Sequence, residues 1–310
     1  MRILTVLLFS VVAALNVNAQ GRLPMQKREI VLRSPSVYEK RVLRYDSKTG
    51  EPVYYDPKPR VVPLDTISRK YGLRWIGYDG QEKTIVYERP DAINGIVSVT
   101  VSKTSSGQYE YRYKIENLRS SKQQLAMFAL QTFGDDVKPI PNGNGYVGPM
   151  TANKELANGR WFGFTSSNFE PPVLPGSSVE LKVLSSEPPG MVECRIAGGQ
   201  FGLRGVGEEP PQELENVLPQ YEAWPRGYTV GPVQHLRSLS AQQWCDYLLR
   251  NLGEFQRLGW LKVRARGSYE QLLKSNNRAE LMRRAQQDVK VGLVTSELYA
   301  MIEALQQFRP

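Results

Sequence analysis

The chain has 310 residues, 41% hydrophobic and 10% aromatic; this fills about two cores at ~100 to 200 residues per domain and excludes wholesale disorder. Its 26 glycines and 21 prolines follow no Gly-X-Y period, which excludes a collagen-like rod, and its single histidine and two cysteines exclude a multi-histidine or four-thiolate metal cage. The net charge of +9 sits toward the ends, with 13 Lys/Arg against 6 Asp/Glu in 22–74 and 11 against 7 in 239–310, a balance that serves solubility alone or suits anionic glycans or phospholipid headgroups, and the chain lacks the aromatic-basic motif of an RNA-binding sheet.

Arg2 precedes the apolar run "ILTVLLFSVVAAL", followed by "NVNAQ" with Val17 and Ala19 at the −3 and −1 positions of a cleavage site. This reads as a secretory signal peptide over 1–19, because a membrane anchor needs ~20 apolar residues. No comparable run follows, so no membrane span is expected after cleavage, and the mature chain is expected to start at Gln20. Residues 20–74 read as a basic, proline-rich extended arm, with "RYDSKTGEPVYY" as a hairpin turning at Lys48 to Gly50.

Periodicity strengthens from Trp75. "QYEYRYKIENL" alternates Tyr109, Tyr111, Tyr113 and Ile115 with charged residues, the pattern of a half-buried strand, and pairs through the turn "KTSSGQ" with "GIVSVTVS". "KTIVYERP", "QLAMFALQTF", "GRWFGFTS", "SVELKVLSS" and "MVECRIAGG" supply further strands. The second of these also fits a helix by periodicity, but the short polar turn "RSSKQ" before it favours a meander. The predicted class is mainly β with a small α domain: an immunoglobulin-like antiparallel β-sandwich over 75–200, then a short helical bundle. Residues 201–238, dense in Gly and Pro, read as an interdomain linker. Their "GLRGVG" lacks the Gly-Lys-Ser/Thr of a phosphate loop.

Residues 239–310 read as the bundle. Ser240 and Gln243 form a capping box before the stripe Trp244, Tyr247, Leu248, Leu252, Phe255 and Leu258, which stops at Gly259. Ser268 with Gln271, Asn277 with Glu280, and Thr295 mark the starts of three more helices.

The order of signal peptide, "YEYRYKIENLRSS", "GRWFGFTSS", "LPGSS", "TVGP" and helical tail resembles a group of uncharacterised exported bacterial proteins with an immunoglobulin or fibronectin type III-like sandwich. The tail, "WCDYLLRNLGEFQRLGWLKVRARGSYEQLLK" and "VTSELYAMIEALQQF", is similar to the helical module called FIMAH at the ends of secreted bacterial proteins. The resemblance covers about residues 75 to 310. It implies a domain plan and an accessory role, and no catalytic residues.

Candidate chemistry is sparse. Glu208 and Glu209 fall in the linker, Asp135 and Asp136 in a loop where they are solvated turn residues or Ca²⁺ ligands, and His235 lies more than fifty residues from "LPGSSVE". Trp161, Phe162 and Phe164 cannot all face one side of a strand. Trp161 is therefore either a core plug or, with Asn158 and Arg160 beside it, a platform for a sugar ring. Cys194 and Cys245 are read as two buried free thiols in preference to a disulfide, although an exported chain permits one. The expected function is that of an exported, non-enzymatic structural, adhesion or scaffold protein, secreted or periplasmic and associated with the cell surface. The alternative is a glycan or cell-wall binding module. An extracellular protein or an anionic glycan is the expected partner, and no cofactor, metal or nucleic acid is expected.

Overall fold

The computed structural model describes residues 42–54, 56–133, 136–140, 146–150, 160–165, 173–199, 211, 214 and 224–308. The expected signal peptide and the first part of the arm lie outside them.

The strand with the clearest alternation builds the first sheet. In β7 (Tyr109–Asn117) the Tyr109, Tyr111, Tyr113 and Ile115 side chains are buried while Arg112 and Lys114 stay exposed. β7 lies between β6 (Gly95–Lys103) and β12 (Ser178–Ser185), and β9 (Lys138–Ile140) completes the order β6-β7-β12-β9. The second sheet has the order β10-β11-β8-β13-β14, from β10 (Tyr146–Met150), β11 (Arg160–Thr165), β8 (Leu125–Thr132), β13 (Pro189–Gly198) and β14 (Arg226–Pro232). With β6, β7, β8, β11, β12, β13 and β14 as strands A, B, C, C′, E, F and G, the sheets read A-B-E and C′-C-F-G, the arrangement of an immunoglobulin-like sandwich.

Two long tyrosine side chains fill the space between the sheets with their hydroxyls paired. The Tyr111 hydroxyl donates to the Glu187 carbonyl at 2.7 Å and Tyr113 to the Val230 carbonyl at 3.0 Å, with the two rings stacked at 6.4 Å. β8 is the strand chosen over a helix. Its Phe128 and Leu130 enter the core while Met127 and Ala129 are covered on the outer face, and this two-sided burial produces a run without strand alternation.

Two boundaries differ from the sequence reading. β3 (Arg60–Asp65), β4 (Lys70–Ile76) and β5 (Glu82–Glu88) form a separate three-stranded sheet, so the expected arm–sandwich border at 74/75 falls inside a strand. "KTIVYERP" belongs to this sheet and not to the sandwich. Pro63 is tolerated because β3 is an edge, while the central β4 contributes Leu73 and Trp75, packed on Ile85 and Leu214. The buried Gln123 ties this sheet to the sandwich, donating to the Arg89 carbonyl at 2.7 Å and accepting from the Ala92 amide at 3.1 Å. The expected hairpin does form, between β1 (Val42–Tyr45) and β2 (Pro52–Tyr54).

The expected linker holds β14 and a 3-10 turn over Gln234–Ser238, with Trp224 and Leu236 buried. Glycine and proline disguised β14 because they serve the sheet here: Gly231 lies where a Cβ would meet Val192 Cγ2 at 2.8 Å, so only a residue without a side chain fits.

The helices are α1 (Ala241–Arg257), α2 (Arg266–Lys274), α3 (Arg278–Lys290) and α4 (Ser296–Glu303). Both halves of the Ser240/Gln243 capping box form, and Gly259 takes φ 76° just beyond the helix end. Asn277 accepts from the Glu280 amide at 3.2 Å as predicted. Ser268 does not cap α2. A 3-10 turn over Val263–Ala265 runs into that helix two residues earlier, and Ser268 donates to the Ala265 carbonyl at 2.7 Å.

The bundle is not a separate body. Trp244, Leu248, Leu252, Phe255 and Met301 belong to the same buried cluster as Val99, Tyr111 and Val230. α4 covers the edge strand β6, where the buried Glu297 accepts from the Val99 amide at 3.2 Å and occupies a donor that an open edge would expose. Glu297→Ala leaves that amide unpaired, and chemical denaturation should show a loss of about 1 to 3 kcal/mol. Glu297→Gln, which keeps an accepting oxygen, should lose less.

Candidate functional site

The sequence pointed first to Trp161, with Arg160 and Asn158. Asn158 lies outside the described residues, as does the side chain of Arg160, although its backbone pairs in β11. Trp161 is 4% exposed and sits on the outer face of the five-stranded sheet in a cluster with Met127, Ala129, Ala197 and Trp224. The Arg195 guanidinium lies 5.3 Å from its ring centroid and its Nε donates to Glu193 Oε1 at 2.6 Å, so a cation already occupies the ring face a sugar would need. The adjacent Phe162 points the other way, into the main core. The sequence alternatives thus divide by side: Trp161 is buried, but outside the sandwich interior. Arg195 and Trp224 were not singled out from sequence, because their proximity to Trp161 depends on the order β11-β8-β13.

Of the remaining candidates, Asp136 and His235 lie among the described residues. Asp136 accepts from the Ser185 hydroxyl and the Ser186 amide, both at 2.6 Å; burial raises its pKa, but these bonds outweigh it and hold the carboxyl below the usual range. It braces a turn, and Asp135, Glu208 and Glu209 lie outside the described residues. His235 is exposed, with its ring edge-on to Phe133 at 6.2 Å. Among the described residues no group of three His, Cys, Asp or Glu is placed to hold a metal ion.

Cys194 and Cys245 are buried and unbridged. Burial pushes the Cys194 thiol up to about 12, and burial also raises Cys245, whose Sγ lies 3.4 Å from Asn276 Oδ1. Both are protonated at neutral pH and poor nucleophiles. Intact-mass analysis should count no alkylated thiol in the native protein and two after denaturation without reductant. A mass two hydrogens lower with no alkylation would show a bridge instead.

The structure also offers a site the sequence did not suggest. A groove of about 630 Å³ lies where the end of β6 and the start of β7 meet the final helical turns, lined among others by Ser102, Lys103, Tyr109, Glu303, Gln306 and Gln307. The Tyr109 hydroxyl donates to Gln307 Oε1 at 3.4 Å, Lys103 Nζ lies 5.6 Å from the Tyr109 ring centroid, and Tyr299 donates to Glu303 at 3.1 Å. Burial raises the Tyr109 phenol, with the Glu303 charge adding to it, so at neutral pH Tyr109 is a hydrogen-bond donor and not a base. Amides and one charge of each sign can bind hydroxyls or a peptide backbone. No sequence pattern links residues 102–109 to 303–307; the docking of α4 on β6 brings them together.

No protein-family model matches the chain, and no curated protein matches it significantly. Among solved structures it is similar to an uncharacterized protein from Nocardia farcinica with an immunoglobulin-like fold, at 12% identity and TM-score 0.26, over 44% of this chain and 97% of that one. The fold assignment here rests on strand order.

Proposed function

We propose that the protein is an exported, non-enzymatic structural, adhesion or scaffold protein acting at the cell surface, in which the sandwich and the helices form one presenting block. The observation that carries this reading is the shared core, together with the Glu297–Val99 bond that seals the β6 edge. A part that transmits load or holds a partner gains from a body without an internal hinge. The signal-peptide pattern at 1–19 supports export, and the likeness of the helices to the FIMAH module belongs to the same proposal. Beads coated with the purified protein should adhere to the producing cells, with soluble protein competing and free sugars having no effect. Failure to adhere overturns the reading.

A second reading, glycan or cell-wall binding, is favoured by the polar groove beside Tyr109 and not by Trp161. It predicts retention on immobilised cell-wall glycan and release by free sugar. Gln306→Ala with Gln307→Ala should abolish that retention.

A further inference from the structure

At one end of the bundle two loops are held side by side. Leu261 bridges to Val294 in antiparallel fashion, the Lys262 amide donates to the Leu293 carbonyl at 2.9 Å, and the Thr295 amide donates to the Trp260 carbonyl at 3.0 Å. Continued outward, this antiparallel register runs Val263 toward Gly292 and Arg264 toward Val291. The buried Trp260, Leu261 and Val294 anchor the loops, yet the two valines point away from the core: Val263 is 74% and Val291 63% exposed, more than any other large hydrophobic side chain of the helical region among the described residues. Lys262, Arg264, Arg266 and Lys290 flank them and are also exposed. The ion pairs of the helices, Glu254–Arg257, Glu270–Lys274, Glu280–Arg283 and Asp288–Arg284, leave Lys262, Arg264 and Lys290 without a carboxylate partner among the described residues. Arg266 bonds the neutral Gln256 at 3.1 Å and also feels the Glu270 carboxylate one helical turn on.

We infer that this valine-tipped basic end docks on an anionic phospholipid bilayer. Two exposed apolar side chains on paired neighbouring loops can reach into the interfacial zone while the surrounding cations face the headgroup phosphates, the combination that holds peripheral proteins at charged membranes. A soluble polyanion would engage the cations and leave the valines in water. The bilayer accounts for both. Among the described residues no helix is long and apolar enough to cross a membrane. The inference stands independently of the adhesion and glycan readings, neither of which uses these loops.

The test is co-sedimentation of the full chain, in the form an exporting cell releases, with vesicles of neutral phosphatidylcholine alone or with about a third anionic phosphatidylserine or phosphatidylglycerol. Binding should appear with the anionic vesicles and fall as salt rises. Each cation near an anionic leaflet contributes about a fivefold factor, so Lys262→Gln, Arg264→Gln and Lys290→Gln together should weaken it by about 100-fold without lowering the melting temperature. Val263→Ser with Val291→Ser should weaken it by about 10-fold at unchanged charge, as expected when apolar contact is lost. Binding that ignores the valine substitutions and is competed away by heparin or inorganic phosphate would overturn the inference in favour of a soluble-anion site. Equal binding to neutral and anionic vesicles, or none to either, would overturn it outright.

Discussion

Trp244→Ala should destabilise the sandwich and the helices together, by about 3 to 5 kcal/mol, with one unfolding transition before and after the change. The ring is fully buried, packs edge-on to Tyr247 and Phe308, and donates from Nε1 to the Met301 carbonyl at 3.1 Å. Removing it leaves a cavity where α1 meets the last helical turns and strips that carbonyl of a partner. The damage spreads because the cluster around Trp244 is continuous with Val99, Tyr111 and Leu130 between the sheets. Thermal melts followed by Trp fluorescence and by far-ultraviolet dichroism, which should coincide, check this. Separate transitions, with the sandwich melting at its original temperature, would restore the sequence expectation of an independent bundle on a linker. That expectation rested on the Gly/Pro content of 201–238, and it fails physically where β14 pairs with β13 and ties the chain to the sheet immediately before the helices.

Trp161→Ala should cost a comparable 3 to 5 kcal/mol at most, through the outer cluster instead of the main core. Loss of the indole uncovers Met127, Ala129 and Ala197 and takes away the ring under the Arg195 guanidinium. Trp161→Phe should recover part of the loss, since it keeps an aromatic face for the cation but covers less surface. Denaturant midpoints of the two variants give the comparison. A Trp161→Ala protein of unchanged stability that no longer binds cell-wall glycan would return this residue to the role of sugar platform.

Short-range pattern was sufficient where neighbouring residues share one environment. The Tyr109–Ile115 alternation identified a half-buried strand, and the Ser240/Gln243 box with its apolar stripe located α1, because a period of two or of 3.6 and a cap are local properties. The turn at Lys48 to Gly50 was legible for the same reason. The start of α2 was not, since a 3-10 turn led the backbone into the helix before the Ser268 cap signal.

By itself the sequence determined the class of fold, most of its strands and helices, and the lack of a second histidine for chemistry. Only the tertiary structure decided that Arg60–Glu88 holds a sheet of its own, that Arg226–Pro232 is a strand, and that the helices seal the sandwich instead of standing apart. Sheet order set the surroundings of Trp161 as well, and the pairing of Leu261 with Val294 brought two basic loops about thirty residues apart into one exposed tip. The physical reason is common to all of these. Periodicity records which face of an element avoids water, while the identity of what covers that face is settled by contacts between residues far apart in the chain.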